Sequence, residues 1–268
     1  EVGNMYQAIA IKNDIIMKLG TSEEVVAVAG PDTQIFDMKG QILMPGIVEP
    51  HSHIYGRYVQ YLERFGFKYP PNGIVVRAQA DTDLEKTQAI MRDALQDAVK
   101  QVDPGDWIVL EMQRNPETPS ALQFWGMTRR LTNRRTLDQW APDNPVLMRP
   151  GLRGNINSKA VEVLNEFLPG YSASIQESMH GDVIGEDIAG IGWVGSQEMS
   201  VITWELFLEK LPNSILAEIL RLVSEDFATK GVSTFSSRIQ FPKIMSGYAT
   251  LAGLDRMPIR LAAHYEIH

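Results

Sequence analysis

The sequence predicts an α/β fold in which a small N-terminal β-domain precedes parallel strands that alternate with helices. Three observations support this prediction. Residues 1–45 contain short alternating segments broken by turn signals, and after Pro45 apolar strand-like segments alternate with longer amphipathic helices. The chain has 268 residues, of which 44% are hydrophobic, and this is enough for one main domain with a small satellite.

The first 45 residues are predicted to form two strand pairs and a short helix. Q-A-I-A-I-K alternates and is followed by the turn signal Asn13-Asp14 and by I-I-M-K-L-G, which indicates a hairpin. Thr21 and Glu24 have the spacing of a capping box, so a short helix is expected to begin there and to end at Gly30-Pro31. The segments Q-I-F-D-M and Q-I-L-M are interpreted as a second strand pair.

Beyond Pro45 the helix signals are stronger. Thr82 and Glu85 form a capping box in front of an apolar face, and Asn213 has the character of an N-cap. The glycine-rich stretch 181–195 is interpreted as an inserted hairpin. The predicted elements are, in chain order, helix Thr82–Val102, strands Trp107–Met112 and Pro145–Met148, helix Asn213–Lys230, strand Gly231–Phe235, helix Pro242–Leu254 and strand Ile259–Ile267.

The composition excludes several classes of function. The net charge is −8 and no cluster of lysine or arginine is longer than a pair, so binding to nucleic acid or to anionic membranes is not expected. The chain has no cysteine, which excludes disulfides, cysteine-ligated zinc and a cysteine nucleophile. No apolar run approaches the roughly 18 residues that a membrane span needs. The first residues do not resemble a signal peptide, so a cytoplasmic location is expected, with a removed signal peptide as the alternative.

The stretch M-P-G-I-V-E-P-H-S-H (Met44–His53) contains the strongest candidate for a chemical site. If it continues a strand, His51 and His53 point to the same face with Cα atoms about 6.5 Å apart. Two imidazoles at that spacing can converge on one ion at metal–nitrogen distances of about 2.0–2.1 Å. Glu49 lies on the same face, where it can orient an imidazole or serve as a third ligand. The alternative interpretation is a pair of polar residues that closes a strand.

Several motifs, in the right order, resemble those of the amidohydrolase superfamily, specifically its YtcJ-like branch. P-G-I-V-E-P-H-S-H is similar to the superfamily segment that leads into the first barrel strand, although Glu49 stands where the family usually has aspartate. The family also commonly carries a histidine a few residues before N-S-x-A-L, where this chain has Leu152 and Arg153. The further matching motifs are Arg134–Val146, Asn157–Val161, the hairpin Gly181–Gly190 and the strand Gly231–Phe235.

The resemblance implies a (β/α)8 TIM-type barrel, of which about the first five strands are present, joined to part of a small β-sandwich. Residues 1–45 would form the sandwich portion and residues 46–268 the barrel portion, with the hairpin insert at about 181–195. The implied cofactor is a divalent metal, expected to be zinc, with one or two ions and with His51 and His53 as ligands. The implied reaction is hydrolysis of a C–N bond, in an amide or cyclic amide, by metal-activated water.

Because the superfamily barrel has eight strands, we expect this chain to be the N-terminal fragment or subunit of such an enzyme. A second chain or a C-terminal segment would complete the barrel and add the remaining ligands, and the whole would act on a small-molecule substrate, with a homo-oligomer as an option. The alternative function is a non-catalytic binding or regulatory subunit that retains the amidohydrolase fold without a complete metal site.

Other polar side chains are weaker candidates, and each has a plain structural alternative. His264, Glu266 and His268 form either an additional ligand set or ordinary residues of the barrel interior or chain end. Glu111 and Arg114 line a pocket mouth or form surface pairs. The remaining two candidates are His180 and Arg153. Each could bind substrate; the alternative is a loop position for His180 and a surface position for Arg153.

Overall fold

The computed structural model describes residues 4–117, 131–149, 154–169, 193–194, 201–239 and 241–264. The chain divides into two compact units, Glu1–Pro45 and Gly46–His268. The strands are β1 (Ala8–Lys12), β2 (Ile15–Gly20), β3 (Ile47–Glu49), β4 (Gly73–Gln79), β5 (Trp107–Gln113), β6 (Val146–Arg149), β7 (Gly154–Ile156), β8 (Trp193–Val194), β9 (Val232–Arg238) and β10 (Arg260–His264). The α-helices are α1 (Ser22–Val26), α2 (Val59–Leu62), α3 (Leu84–Val99), α4 (Arg134–Trp140), α5 (Ser158–Phe167), α6 (Asn213–Ala228) and α7 (Pro242–Gly253).

The first unit contains the predicted hairpin and the predicted capping box. β1 and β2 pair antiparallel, and both turn residues, Asn13 and Asp14, have positive φ angles of 50° and 65°, which asparagine and aspartate tolerate better than most residues. The Thr21 side chain accepts a hydrogen bond from the Glu24 N–H, and the Glu24 carboxylate accepts one from the Thr21 N–H. Both features follow from local sequence, and this explains why they could be predicted.

The second predicted strand pair of this unit is wrong. Residues 34–44 form no strand. Apolar side chains in this stretch are exposed, including Ile35 at 66%, Phe36 at 77% and Ile42 at 73%. An alternating pattern stabilises a strand only when one face packs against a partner, and here neither face does so.

The second unit contains two sheets. One has the strand order β10-β9-β3, with all neighbours parallel. The other has the order β4-β5-β6-β7-β8, in which the first three strands are parallel and the pairings of β7 are antiparallel. The mixed α/β class with parallel sheets is therefore confirmed. A barrel with an N-terminal sandwich is not confirmed, because β3 pairs with β9 and lies in a different sheet from β4.

Helices cover these sheets with apolar faces. α6 and α7 pack together with β9 and the 3-10 turn Ile54–Tyr58, and the largest fully buried side chains of this cluster are Tyr55, Tyr58, Phe235 and Tyr248. α3 and α4 bury Met91, Leu95 and Leu137 against the strands β5 and β6. Among the described residues, no helix combines the length and the apolar character that crossing a membrane requires.

The observed N-caps of α3 and α6 differ from the predicted ones. α3 begins at Leu84, and the Asp83 carboxylate accepts the Lys86 N–H, so Asp83 is the N-cap rather than Thr82. Asp81 also accepts the Asp83 N–H, which turns the chain before the helix. The N-cap of α6 is Pro212 rather than Asn213. The start of α3 thus depends on single hydrogen bonds, whereas the existence of the helix depends on apolar periodicity.

Gly73 offers a test of the contact between β4 and β5. Its φ angle is +119°, and an added Cβ would lie 1.9 Å from the carbonyl oxygen of Trp107. We expect Gly73→Ala to lower the free energy of unfolding by about 3 kcal/mol, because left-handed backbone strain adds to a clash with main chain. Gly105→Ala is the matched control, since Gly105 has φ +89° but no described atom within 4 Å of the added Cβ; its cost should be about 1–2 kcal/mol. Urea unfolding of both variants measures the difference, and equal losses would contradict the close approach.

Candidate metal site

The histidine pair lies just beyond the C-terminal end of β3. The strand ends at Glu49, and Pro50, which has no N–H to donate to a neighbouring strand, separates it from His51. The Ser52 N–H donates to the carbonyl oxygen of Ser236 in β9 at 3.0 Å. The pair is therefore held in a bend beside the C-terminal end of β9, rather than in the extended strand that the sequence predicts.

Glu49 has a main-chain role in this bend. Its carboxylate accepts the backbone N–H of His51 at 3.0 Å. The expectation that Glu49 orients an imidazole or acts as a third ligand is thus not supported by its described hydrogen bond. The carboxylate instead fixes the backbone from which the His51 side chain projects.

The two imidazole rings have a separation that suits a shared ion. The centroids of His51 and His53 are 5.1 Å apart, with an angle of 83° between the ring planes. Two imidazoles bound to one tetrahedral ion at metal–nitrogen distances of about 2.0–2.1 Å would hold their centroids about 5 Å apart. The residues present therefore fit a divalent metal of the kind that histidine binds.

Aromatic and hydroxyl groups surround the His53 ring. Its Nδ1 lies 2.7 Å from the Tyr55 hydroxyl oxygen and 3.4 Å from the Ser237 hydroxyl oxygen. The Tyr55 hydroxyl also lies 3.2 Å from the carbonyl oxygen of Arg238, at the end of β9. The Trp204 ring packs at 6.2 Å from the His53 ring and at 4.8 Å from the Tyr55 ring. The protein thus contacts the Nδ1 side of the His53 ring, although the residue as a whole is exposed.

The electrostatic environment favours a neutral His53. Partial burial of the ring lowers its pKa, and the positive charges of His51 and Arg238 lower the pKa further. Neutral imidazole is the form that binds metal ions, so the shift supports a ligand role. Burial also raises the pKa of Tyr55 to about 12, so that its hydroxyl keeps its proton at neutral pH.

A third histidine lies at the same edge of this sheet. His264 ends β10 and pairs in register with Arg238 of β9. The C-terminal ends of three parallel strands thus bring together the histidine pair, the β9 residues Ser236–Arg238 and His264. Within the described ranges, however, no group of three or more histidine, cysteine, aspartate or glutamate side chains is arranged to hold a metal.

The other candidates are not brought to this edge by any described contact. Glu111 lies within β5, in the other sheet, and pairs with the exposed Arg77 at 3.0 Å, which favours the surface-pair interpretation. Arg114 directly follows β5. The remaining candidates lie outside the described residues, as does most of the predicted hairpin 181–195; these candidates are Arg153, His180, Glu266 and His268.

Sequence reasoning missed Tyr55 and Ser237. Tyr55 lies two residues after the His-x-His motif, and Ser237 is the penultimate residue of β9. The available signals were a hydroxyl two residues after His53 and, for Ser237, a hydroxyl two residues beyond the predicted strand Gly231–Phe235. Such signals are weak in a single sequence, because hydroxyl side chains are common.

Sequence comparisons find similar proteins, although no family profile matches the chain. The chain is 20% identical over 269 residues to an N-substituted formamide deformylase from Arthrobacter pascens, covering 95% of this chain and 43% of that protein. It is 24% identical over 167 residues to the YtcJ amidohydrolase of Bacillus subtilis, covering 60% of this chain and 27% of that protein. Over 49 residues it is 37% identical to an imidazolonepropionase from Symbiobacterium thermophilum, covering 18% and 12% respectively. The chain therefore spans less than half the length of these relatives.

Two solved structures are also similar. They are metal-dependent hydrolases from Pyrococcus furiosus and Pyrococcus horikoshii, with identities of 16% and 14% and TM-scores of 0.45 and 0.46. Each alignment covers 96% of this chain, and it covers 45% and 44% of the respective neighbour. These scores are too low for an argument about fold, so the relationship depends on the sequence matches. Those matches support the predicted relationship of this chain to the amidohydrolase superfamily.

Proposed function

We propose that this chain belongs to a metal-dependent hydrolase of the amidohydrolase type, in which His51 and His53 bind the metal. The observation that carries the proposal is the 5.1 Å separation of the two imidazole centroids beside the C-terminal ends of β3 and β9. Functional residues of parallel α/β sheets collect at this end of the strands. The names of the relatives agree with the proposal, since one is a deformylase and another an amidohydrolase.

The residues of the chain would hold and orient the ion. His51 and His53 would each supply one imidazole nitrogen. The backbone between them is held by two hydrogen bonds: the His51 N–H donates to the Glu49 carboxylate, and the Ser52 N–H donates to the Ser236 carbonyl oxygen in β9. Such main-chain anchoring keeps ligands close to their binding geometry before the ion arrives. A bound divalent ion, which we propose is zinc, would supply a water of pKa about 7 and polarise a substrate carbonyl.

The substrate class follows from the proposed chemistry and from the names of the relatives. N-Substituted formamides contain a C–N bond that water can cleave, and such compounds are the named substrates of one relative. We propose a small amide or cyclic amide for this chain. We further propose that the parallel strands are part of a (β/α)8 barrel, that residues 1–45 contribute to a β-sandwich, and that residues of a second chain or a C-terminal segment complete the ligand set.

Metal removal tests the proposal. The complete protein, including the second chain or C-terminal segment that completes the ligand set, should contain zinc at near-stoichiometric level by mass spectrometry. It should also cleave members of a panel of N-substituted formamides and cyclic amides. Treatment with a chelator should remove both the zinc and the activity, and added zinc should restore both, because the ion supplies the activated water. A protein that stays free of metal after incubation with zinc, and cleaves no amide, would contradict the proposal and favour the non-catalytic binding or regulatory subunit.

A further inference from the structure

The Nδ1 atom of His53 lies against a hydroxyl that has a second partner. The Tyr55 hydroxyl oxygen is 2.7 Å from Nδ1 of His53 and 3.2 Å from the carbonyl oxygen of Arg238. A backbone carbonyl only accepts hydrogen bonds, whereas a phenol has a single proton to donate. Both contacts are therefore satisfied by one arrangement of protons. The Tyr55 hydroxyl donates to Arg238, and the Tyr55 oxygen accepts from a protonated Nδ1.

This arrangement determines which ring nitrogen is free to bind an ion. In a neutral imidazole one nitrogen carries the proton and the other carries the lone pair. If Nδ1 of His53 carries the proton, Nε2 presents its lone pair. We propose that Tyr55 is a positioning residue that fixes His53 as the Nδ1–H tautomer and so makes Nε2 the ligand atom. The use of Nε2 by a metal rests on the proposed function, whereas the assignment of the tautomer does not.

Packing holds the Tyr55 hydroxyl in this position. The residue is 0% exposed, and its ring packs edge-on against Trp204 at 4.8 Å. Trp204 in turn packs against Phe241 at 4.9 Å, next to the start of α7. A ring enclosed in this way cannot swing its hydroxyl away from His53 without opening the core. The hydroxyl is therefore fixed by the fold rather than by the histidine that it contacts.

Ser237 is a competing partner for the same nitrogen, and it is also fully buried. Its hydroxyl oxygen is 3.4 Å from Nδ1, which is at the limit of a hydrogen bond, whereas the Tyr55 oxygen at 2.7 Å lies within the normal range. We therefore assign the tautomer to Tyr55. Replacing Ser237 should leave the tautomer unchanged, and replacing Tyr55 should not.

The tautomer can be read directly in the metal-free protein. Long-range proton–nitrogen NMR correlations of histidine labelled with ¹⁵N distinguish a protonated ring nitrogen from one with a lone pair. The chain has only five histidines, and comparison with His53→Asn assigns the signals of His53. The wild-type protein should show Nδ1–H, and Ser237→Ala should show the same. An Nε2–H tautomer in the wild-type protein would overturn the proposal without any variant.

Tyr55→Phe removes only the hydroxyl and keeps the ring. The variant should lose the Nδ1–H preference and bind zinc about 10–100-fold more weakly in a competition assay with a chromophoric chelator, as is typical when the partner of a metal-binding histidine is removed. Tyr58→Phe is the matched control, because Tyr58 is equally buried but donates to the carbonyl oxygen of Thr203 instead of contacting His53. It should change neither the tautomer nor the zinc affinity.

The outcomes separate this inference from the proposed function. If Tyr55→Phe and Tyr58→Phe have the same tautomer and the same zinc affinity, Tyr55 does not position His53 and the inference is wrong. If the wild-type protein shows Nδ1–H, and Tyr55→Phe alone loses it, the inference is supported. Should the wild-type protein show that tautomer but bind no zinc, the metal-dependent function would fail while the positioning role of Tyr55 would be upheld.

Discussion

Replacing both His51 and His53 with alanine is expected to weaken zinc binding on the order of 10,000-fold. A complete zinc site with four ligands binds with about 10–16 kcal/mol, so each ligand contributes roughly 3 kcal/mol and two contribute roughly 6. The rings have a separation that allows both to bind one ion, so each single substitution should leave a weaker site with one of these nitrogens. Isothermal calorimetry, or competition with a chelator of known affinity, measures the loss.

The fold should survive this change. His51 is exposed, so its truncation should change the free energy of unfolding by less than about 0.5 kcal/mol. Loss of the His53 ring removes the hydrogen bond with Tyr55 and should cost about 1 kcal/mol. His180→Ala is a matched control for the removal of a histidine, because neither interpretation of His180 from the sequence, a loop position or substrate binding, makes it a metal ligand, and it should leave zinc binding unchanged. Unaltered zinc affinity in the double variant would refute the assignment of both ligands.

The second large effect is expected at Asn157, the first residue of the N-S-K-A-V motif. Its side chain is 0% exposed and takes part in four hydrogen bonds. The amide oxygen accepts the N–H groups of Val146 and Ala160, and the amide nitrogen donates to the carbonyl oxygens of Ala141 and Asn144. One side chain thus caps α5 and also ties the loop between α4 and β6.

Asn157→Ala should lower the free energy of unfolding by about 3–5 kcal/mol. The substitution leaves two N–H groups and two carbonyl groups without their partner, and each unpaired buried group costs about 1–3 kcal/mol before the structure relaxes. Asn133→Ala is the control, because Asn133 is also a helix N-cap, for α4, but is exposed. Its loss should cost about 1 kcal/mol. Urea unfolding compares the two, and similar costs would show that the network around Asn157 adds little.

The role of Asn157 changes the interpretation of the motif that contains it. The resemblance linked N-S-K-A-V to an enzyme family, and the structure gives two of its side chains a folding role. Asn157 holds the β6 region, and Ser158 bonds through its N–H and its hydroxyl to the Asp138 carboxylate at 2.7 Å each. Asp138 belongs to R-R-T-L-D-Q-W, within the preceding motif. The two motifs are therefore parts of one packed unit that joins α4 to α5.

Much of the local structure could be predicted, because the signals for it are close together along the chain. The apolar periodicity of α3 and α6 predicted those helices, and the turn at Asn13-Asp14 predicted the first hairpin. Helix starts were missed by a residue or more because Asp83 competes successfully with Thr82 for the cap. The strand pair wrongly predicted at residues 34–44 shows a limit of this method. An alternating pattern of apolar and polar residues does not reveal whether the strand has a partner to pack against.

The amino-acid sequence was sufficient to predict the first hairpin and the helices α3, α6 and α7, and to nominate His51 and His53 as candidate metal ligands. The pairing of β3 with β9, the hydrogen bond from the His51 N–H to Glu49, and the contacts of Tyr55 and Ser237 with His53 became known only from the folded structure. The physical reason is that these contacts depend on how the backbone bends after β3 and on which strands pair, and local sequence signals specify neither. Capping boxes and amphipathic faces are local, whereas the contact of Ser237 with His53 joins residues 184 positions apart, and such a contact exists only after two parallel strands have paired.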